Sequence, residues 1–186
     1  MKLFIKNMVC SRCKMVVKSE LEKLNIRPLE VDLGEIEIEK PPSKQQLDKL
    51  RISLKQLGFE LIDDKKGRII EKIKTLIVKR VHYPENDPSE NLSDLITSKI
   101  HYDYSYLSNL FSEVEGTTIE KYYIAQKIER VKELLVYDEL SLSEIADQLE
   151  YSSVAYLSAQ FKKITGLTPT FYKGLKDHKR KNIEDL

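Results

Sequence analysis

The chain has 186 residues, 41% hydrophobic and 33% charged, enough for two small packed domains with a well-solvated surface. No apolar run approaches a membrane span, and Met1-Lys-Leu-Phe-Ile-Lys6 reaches Asn7 too soon for a signal-peptide core, so the sequence predicts a cytoplasmic protein. Net charge is only +1, and residues 66–186 hold 18 Lys+Arg against 19 Asp+Glu, so nucleic-acid binding would need a local basic face.

In chain order, Lys2 to Met8 alternates weakly and reads as a strand. Val9 to Arg12 is a loop carrying Cys10, and Cys13 falls in the first turn of a helix marked by Val16, Val17, Leu21 and Leu24. Leu29 to Leu33 and Ile36 to Ile38 alternate as a hairpin around Gly34. Pro41-Pro42-Ser43 stops the chain and caps a second helix marked by Leu47, Leu50, Leu54 and Leu57. After Gly58, Phe59 to Ile62 is a last strand. The order βαββαβ predicts an α+β ferredoxin-like sandwich over residues 1–64.

Cys10 and Cys13 are the two cysteines, three positions apart, and in a reducing compartment they are no structural staple. Asn7-Met8-Val9-Cys10-Ser11-Arg12-Cys13 is similar to the Met-x-Cys-x-x-Cys loop of heavy-metal-associated domains, and Gly58-Phe59-Glu60 resembles the segment before their last strand. That resemblance implies a soft-metal site at Cys10 and Cys13. A thiolate pair on a loop-to-helix corner can grip an ion linearly, as Cu(I) prefers, with the helix start and Lys14 expected to lower the thiol pKa. The other readings are a dithiol–disulfide redox switch and an unused dithiol on a retained scaffold. A zinc site would need more ligands, and His82, His101 and His178 show no spacing to supply them. Met8 reads as core.

Asp63 to Gly67 is a charged hinge, with 65–67 dividing the two domains. Arg68 to Val81 is a helix ending near Pro84, and Glu85 to Glu90 is a polar loop. A helix with Leu92, Leu95, Ile96 and Ile100, a turn at His101 to Asp103 and a helix from Tyr104 to Gly116 make one helix-turn-helix. Ile119 to Val136 is a long helix with Ile124, Ile128, Val131, Leu134 and Leu135 as core. Its charges Lys127, Glu129, Arg130, Lys132 and Glu133 should be a solvated face, and one of Tyr122 and Tyr123 should be exposed. Ser141 or Ser143 caps the next helix, with Ile145, Ala146 and Leu149 apolar. A turn at Glu150 to Ser152 leads to a helix capped by Ser152 or Ser153 that buries Leu157, Phe161 and Ile164. Gly166 ends it and Pro169 prevents continuation. Tyr104 to Ser108 and Phe111 parallel Val154 to Ser158 and Phe161, an internal repeat at a spacing of about 50 residues. Residues 177–186 form a polar tail, with His178-Lys-Arg-Lys181.

Phe161-Lys162-Lys163, Thr165-Gly166-Leu167-Thr168-Pro169 and Tyr172 resemble the closing signature of AraC-type transcription regulators, which carry twin helix-turn-helix units joined by a long helix. The resemblance covers 68–176 and implies an all-α domain that binds double-stranded DNA. It places Tyr104, Ser105, Ser108 and Asn109 of the first copy, and Ser153, Val154, Ala155, Ser158 and Ala159 of the second, toward base edges. Lys162 and Lys163 could hold phosphates, Asn109 could read adenine, and apolar side chains could touch a thymine methyl. Asn109 and Ala159 stand where the family often has Arg, so no strong guanine reader is visible.

The expectation is a transcription regulator, not an enzyme, because no catalytic constellation stands out. Its N-terminal domain would form a homodimer or sense a soft metal, redox state or another ligand; DNA binding by twin units does not itself require a dimer. The alternative is a metal-binding or chaperone-like protein whose helical domain is an interaction module with little DNA affinity.

Overall fold

The computed structural model describes residues 1–62, 64–83 and 90–175. Asp63, Pro84, most of the 85–90 loop, Lys176 and the 177–186 tail with His178 lie outside the described residues. By chain order the elements are β1 (Lys2–Lys6), α1 (Ser11–Lys23), β2 (Pro28–Asp32), β3 (Glu35–Ile38), α2 (Lys44–Gln56) and β4 (Glu60–Ile62). They continue as α3 (Lys65–His82), α4 (Leu92–Ile100), α5 (Tyr104–Glu115), α6 (Ile119–Tyr137), α7 (Leu142–Gln148), α8 (Val154–Thr165) and α9 (Pro169–Lys173). The chain divides into two compact units: residues 1–76 with 96–110, and residues 77–95 with 111–186.

In the first unit the sheet runs β2-β3-β1-β4, with every pairing antiparallel. The alternation read from the sequence sets its faces. Leu3 and Ile5 of β1 are buried, as are Ile36 and Ile38 of β3 and Leu61 of β4, and they meet Val17 and Leu21 of α1 and Leu50 and Leu54 of α2. Each fully buried aliphatic side chain contributes about 1.5–3 kcal/mol. Two apolar markers lie outside that core: Val16 is exposed, and Leu57 is the exposed C-cap residue of α2. Ser43 closes a capping box with Gln46, as its position after Pro42 predicts.

Residues 65–67, expected as a hinge, are the first residues of α3. Its first half belongs to the first unit. Arg68 and Lys72 lie over the Phe4 ring at 5.2 and 5.3 Å, and Glu71 accepts from the Asn7 N–H. At Gly34, φ is +72° and an added Cβ would stand 2.8 Å from Thr75 Oγ1, so this turn admits only glycine without a shift.

In the second unit Val81, Ile128, Val131, Leu134 and Leu135 pack with Ile145, Ala146, Leu149, Tyr151, Leu157, Phe161 and Tyr172. The solvated face expected on α6 is absent. Lys127, Glu129 and Lys132 are buried, Arg130 and Glu133 half-buried, and Tyr122 buried beside a half-buried Tyr123. The charges are tolerated through local pairing, Lys132 with Glu129 and Arg130 with Glu133. Pro169 does not merely stop α8. It is the first residue of α9, capped by Thr168, the position where its missing N–H costs nothing. Ile164 is 48% exposed rather than buried, because Leu157 and Phe161 already define the inward stripe of α8.

Candidate nucleic-acid interface

The second helix-turn-helix is built from its caps inward. The Ser141 hydroxyl accepts from the Glu144 N–H while the Glu144 carboxylate accepts from the Ser141 N–H, starting α7. Glu150 takes φ +55° in the turn. Ser153, not Ser152, caps α8 by accepting from the Tyr156 N–H. Leu157 and Phe161 are fully buried, Phe161 edge-on to Tyr172 at 5.5 Å. Ala155, Tyr156, Ala159, Lys162 and Lys163 are left exposed as one stripe at helical spacing. Of the residues expected at the interface, Val154 is half-buried against the core and Ser158 is also half-buried.

The first copy repeats this pattern. Tyr104 is half-buried, Ser105 and Tyr106 exposed, Leu107 buried, Ser108 half-buried and Asn109 exposed, the same succession as residues 154–159. Tyr106 and Tyr156 therefore occupy equivalent positions, 43% and 55% exposed, and the sequence reading named neither as a contact. The internal repeat itself was the signal that could have found them. Each ring lies beside another tyrosine, Tyr106 stacked on Tyr102 at 5.4 Å and Tyr156 tilted against Tyr151 at 6.1 Å.

Electrostatically the copies differ. At the start of α5 the Asp103 carboxylate accepts from the hydroxyl and backbone N–H of Ser105, which hold its carboxyl below the usual range. A negative charge thus occupies the N-terminal end of α5. The corresponding residue of α8 is the neutral Ser153. The last turn of α8 carries Lys162 and Lys163, whereas that of α5 carries no basic residue.

Cys10 is the N-cap residue of α1 and Cys13 lies in its first turn, both half-buried. Their sulfurs are 3.2 Å apart. Burial pushes the Cys13 thiol up, and its hydrogen bond with Cys10 adds to that, against the opposing backbone hydrogen bonds at Val9 and Cys10. Lys14 is 2.8 Å from Asp32 and paired there. The depressed thiol pKa expected from the helix start and Lys14 does not hold at Cys13, where desolvation is the largest cause. Among the described residues no group of three or more His, Cys, Asp or Glu could hold a metal ion. His82 contacts Gln126 at 3.3 Å and His101 is the left-handed residue of the first turn.

A family model described as a helix-turn-helix domain matches residues 96–174. Over these residues the chain is similar to a helix-turn-helix domain. Over 98 residues the chain is 30% identical to the xylose operon regulatory protein of Escherichia coli, 52% of this chain and 25% of that one. It is 30% identical over 85 residues to the HTH-type transcriptional regulator YtdP of Bacillus subtilis, 46% of this chain and 11% of that one. The chain thus spans a quarter or less of the length of these curated relatives. The C-terminal domain of AraT, a response regulator from Geobacillus stearothermophilus, shares the fold: it is 22% identical, covers 62% of this chain and 97% of its own, with a TM-score of 0.50. The family match begins at residue 96, so the heavy-metal-associated resemblance of residues 1–64 has no counterpart in it. Among the described residues no helix is long and apolar enough to cross a membrane.

Proposed function

We propose that the chain is a sequence-specific DNA-binding transcription regulator with double-stranded DNA as its partner. The carrying observation is the stripe of α8, where Ala155, Tyr156, Ala159, Lys162 and Lys163 face outward over a buried Leu157 and Phe161 on a Ser-capped helix. The names of the relatives, transcriptional and operon regulators, point the same way. In this reading α8 enters the major groove, Lys162 and Lys163 hold phosphates, and Ala155 and Ala159 lie against thymine methyls. Asn109 offers the bidentate adenine contact of the first copy. A single chain with two such units needs no homodimer to bind.

For the first unit we infer a ferredoxin-like sandwich, supported by the element order and by the β2-β3-β1-β4 antiparallel sheet. A second reading, response to Cu(I) or another soft ion, or to redox state, is favoured by one observation: two free thiols in contact at the start of α1. Two sulfurs bound at about 2.3 Å to one ion stand roughly 3.8–4.6 Å apart, so loading would part the pair beyond its present 3.2 Å. Such a change could alter DNA binding only if the two states of the protein bind the ion differently.

Selection of fragmented genomic DNA by the reduced, full-length protein, with and without stoichiometric Cu(I), tests both readings. A few enriched sites are expected. A Cu(I)-dependent change that disappears in Cys10→Ser/Cys13→Ser supports the metal reading, and an unchanged selection refutes it. No enriched fragment in either state at low salt refutes the regulator reading.

A further inference from the structure

A polar cluster in the second unit takes no part in the exposed stripe of α8. The Arg80 side chain, at the end of α3, is 6% exposed, and its guanidinium donates to Glu150 Oε2 from Nη2 at 2.8 Å and from Nε at 3.3 Å. Tyr123 of α6 is half-buried, and burial together with the Glu150 charge raises its pKa, against Arg80. Lys127, one turn further along α6, sets its ammonium 3.9 Å from the centre of the Tyr151 ring and 5.3 Å from that of Tyr123. The Tyr151 hydroxyl then donates to Gln160 Oε1 of α8 at 2.8 Å. The contacts run without a break from α3 through the turn to the helix with the exposed stripe.

The backbone makes this cluster more than packing. Glu150 sits in the left-handed region at φ +55°, a conformation glycine adopts freely and a Cβ disfavours. A carboxylate is kept there all the same, and it partners a guanidinium that burial would otherwise penalise. We propose that Arg80, Tyr123, Lys127, Glu150 and Tyr151 form a clamp that fixes the seat of α8 against α6, with Arg80 and Glu150 as positioning residues for DNA recognition. The inference rests on the reading of α8 as a recognition helix. Arg80 belongs to the element that enters this unit from the first, so a change at that end of α3 would reach α8 through the clamp.

Arg80→Met/Glu150→Gly in the full chain tests it. The pair removes guanidinium and carboxylate together and gives the turn the residue its φ favours, so a cooperative thermal transition is expected to persist. The clamp requires faster amide hydrogen exchange across residues 153–165 of the free protein. It also requires affinity for a selected DNA site to fall on the order of tenfold at fixed salt. The salt dependence of binding should be unchanged, because no phosphate contact is lost. Wild-type affinity or wild-type exchange in α8 overturns the clamp while leaving the regulator reading intact. If the unaltered protein binds no duplex DNA at low salt, the recognition reading is the one that fails, and this inference with it. Should the double variant not fold, Glu150→Gln, which keeps an acceptor in place, carries the same readouts with a smaller expected loss.

Discussion

Lys127 shows what burial does to a single charge. Its ammonium lies among Arg80, Glu150, Tyr123 and Tyr151, and burial lowers its pKa to about 8, with Arg80 pushing the same way and Glu150 opposing. Its folded pKa is below that of the free side chain, 10.5, so between these values the unfolded chain holds a proton that the folded one has released. Stability from this group therefore rises as pH climbs above about 8. Tyr151 opposes it further up, because burial raises its pKa and the unfolded phenol ionises first. Denaturant unfolding at pH 7 and pH 9.5 should show wild type gaining stability relative to Lys127→Met; parallel values would mean the ammonium is solvated. Phe161 and Ile164 make a second test, lying three positions apart on α8 with opposite surroundings. Phe161→Ala should cost about 3–5 kcal/mol of unfolding free energy and Ile164→Ala within about 0.5. Helical periodicity alone assigned both to the core, since an i, i+3 spacing does not tell where the inward stripe ends.

At the scale of elements, caps and repeats were readable in advance. Ser43, Ser141 and Gly166 stand where side-chain chemistry and a left-handed residue require them. The repeat also matched α5 to α8 by residue type, and the two share one pattern of exposure. Tertiary context was not readable. The charged positions of α6 look like a solvent face in sequence but are buried, and α9 was hidden because Pro169 reads equally as a terminator and as a first helical residue. Nor does the sequence pattern show that Asp103 spends its carboxylate at the start of α5 while α8 begins on neutral Ser153 and ends on two lysines. From that contrast α8 should carry more of the DNA affinity. Asp103→Ser, which removes the negative charge and keeps a capping oxygen, should tighten binding. Ser153→Asp should weaken it without unfolding α8, because Asp caps as well as Ser. Equal responses of the two helices in a titration against one selected site would remove the asymmetry.

For the whole molecule, the element order of the first unit and the helix-turn-helix character of the second were legible from period, punctuation and repeat. The start of α3 was not. No composition shift marks residue 65 as the start of a helix, and the contact that ties the first half of α3 to Phe4 joins residues far apart in sequence. Near-neutral charge in residues 66–186 gives no bulk electrostatic pull on DNA, so the proposed binding rests on a local grip such as Lys162 and Lys163. The most direct test is affinity for duplex DNA as a function of salt, for the full-length protein and for Lys162→Gln/Lys163→Gln. Affinity should fall steeply with salt, with a log–log slope about 2 units shallower in the variant. An unchanged slope, or no binding at low salt by the unaltered protein, would contradict it.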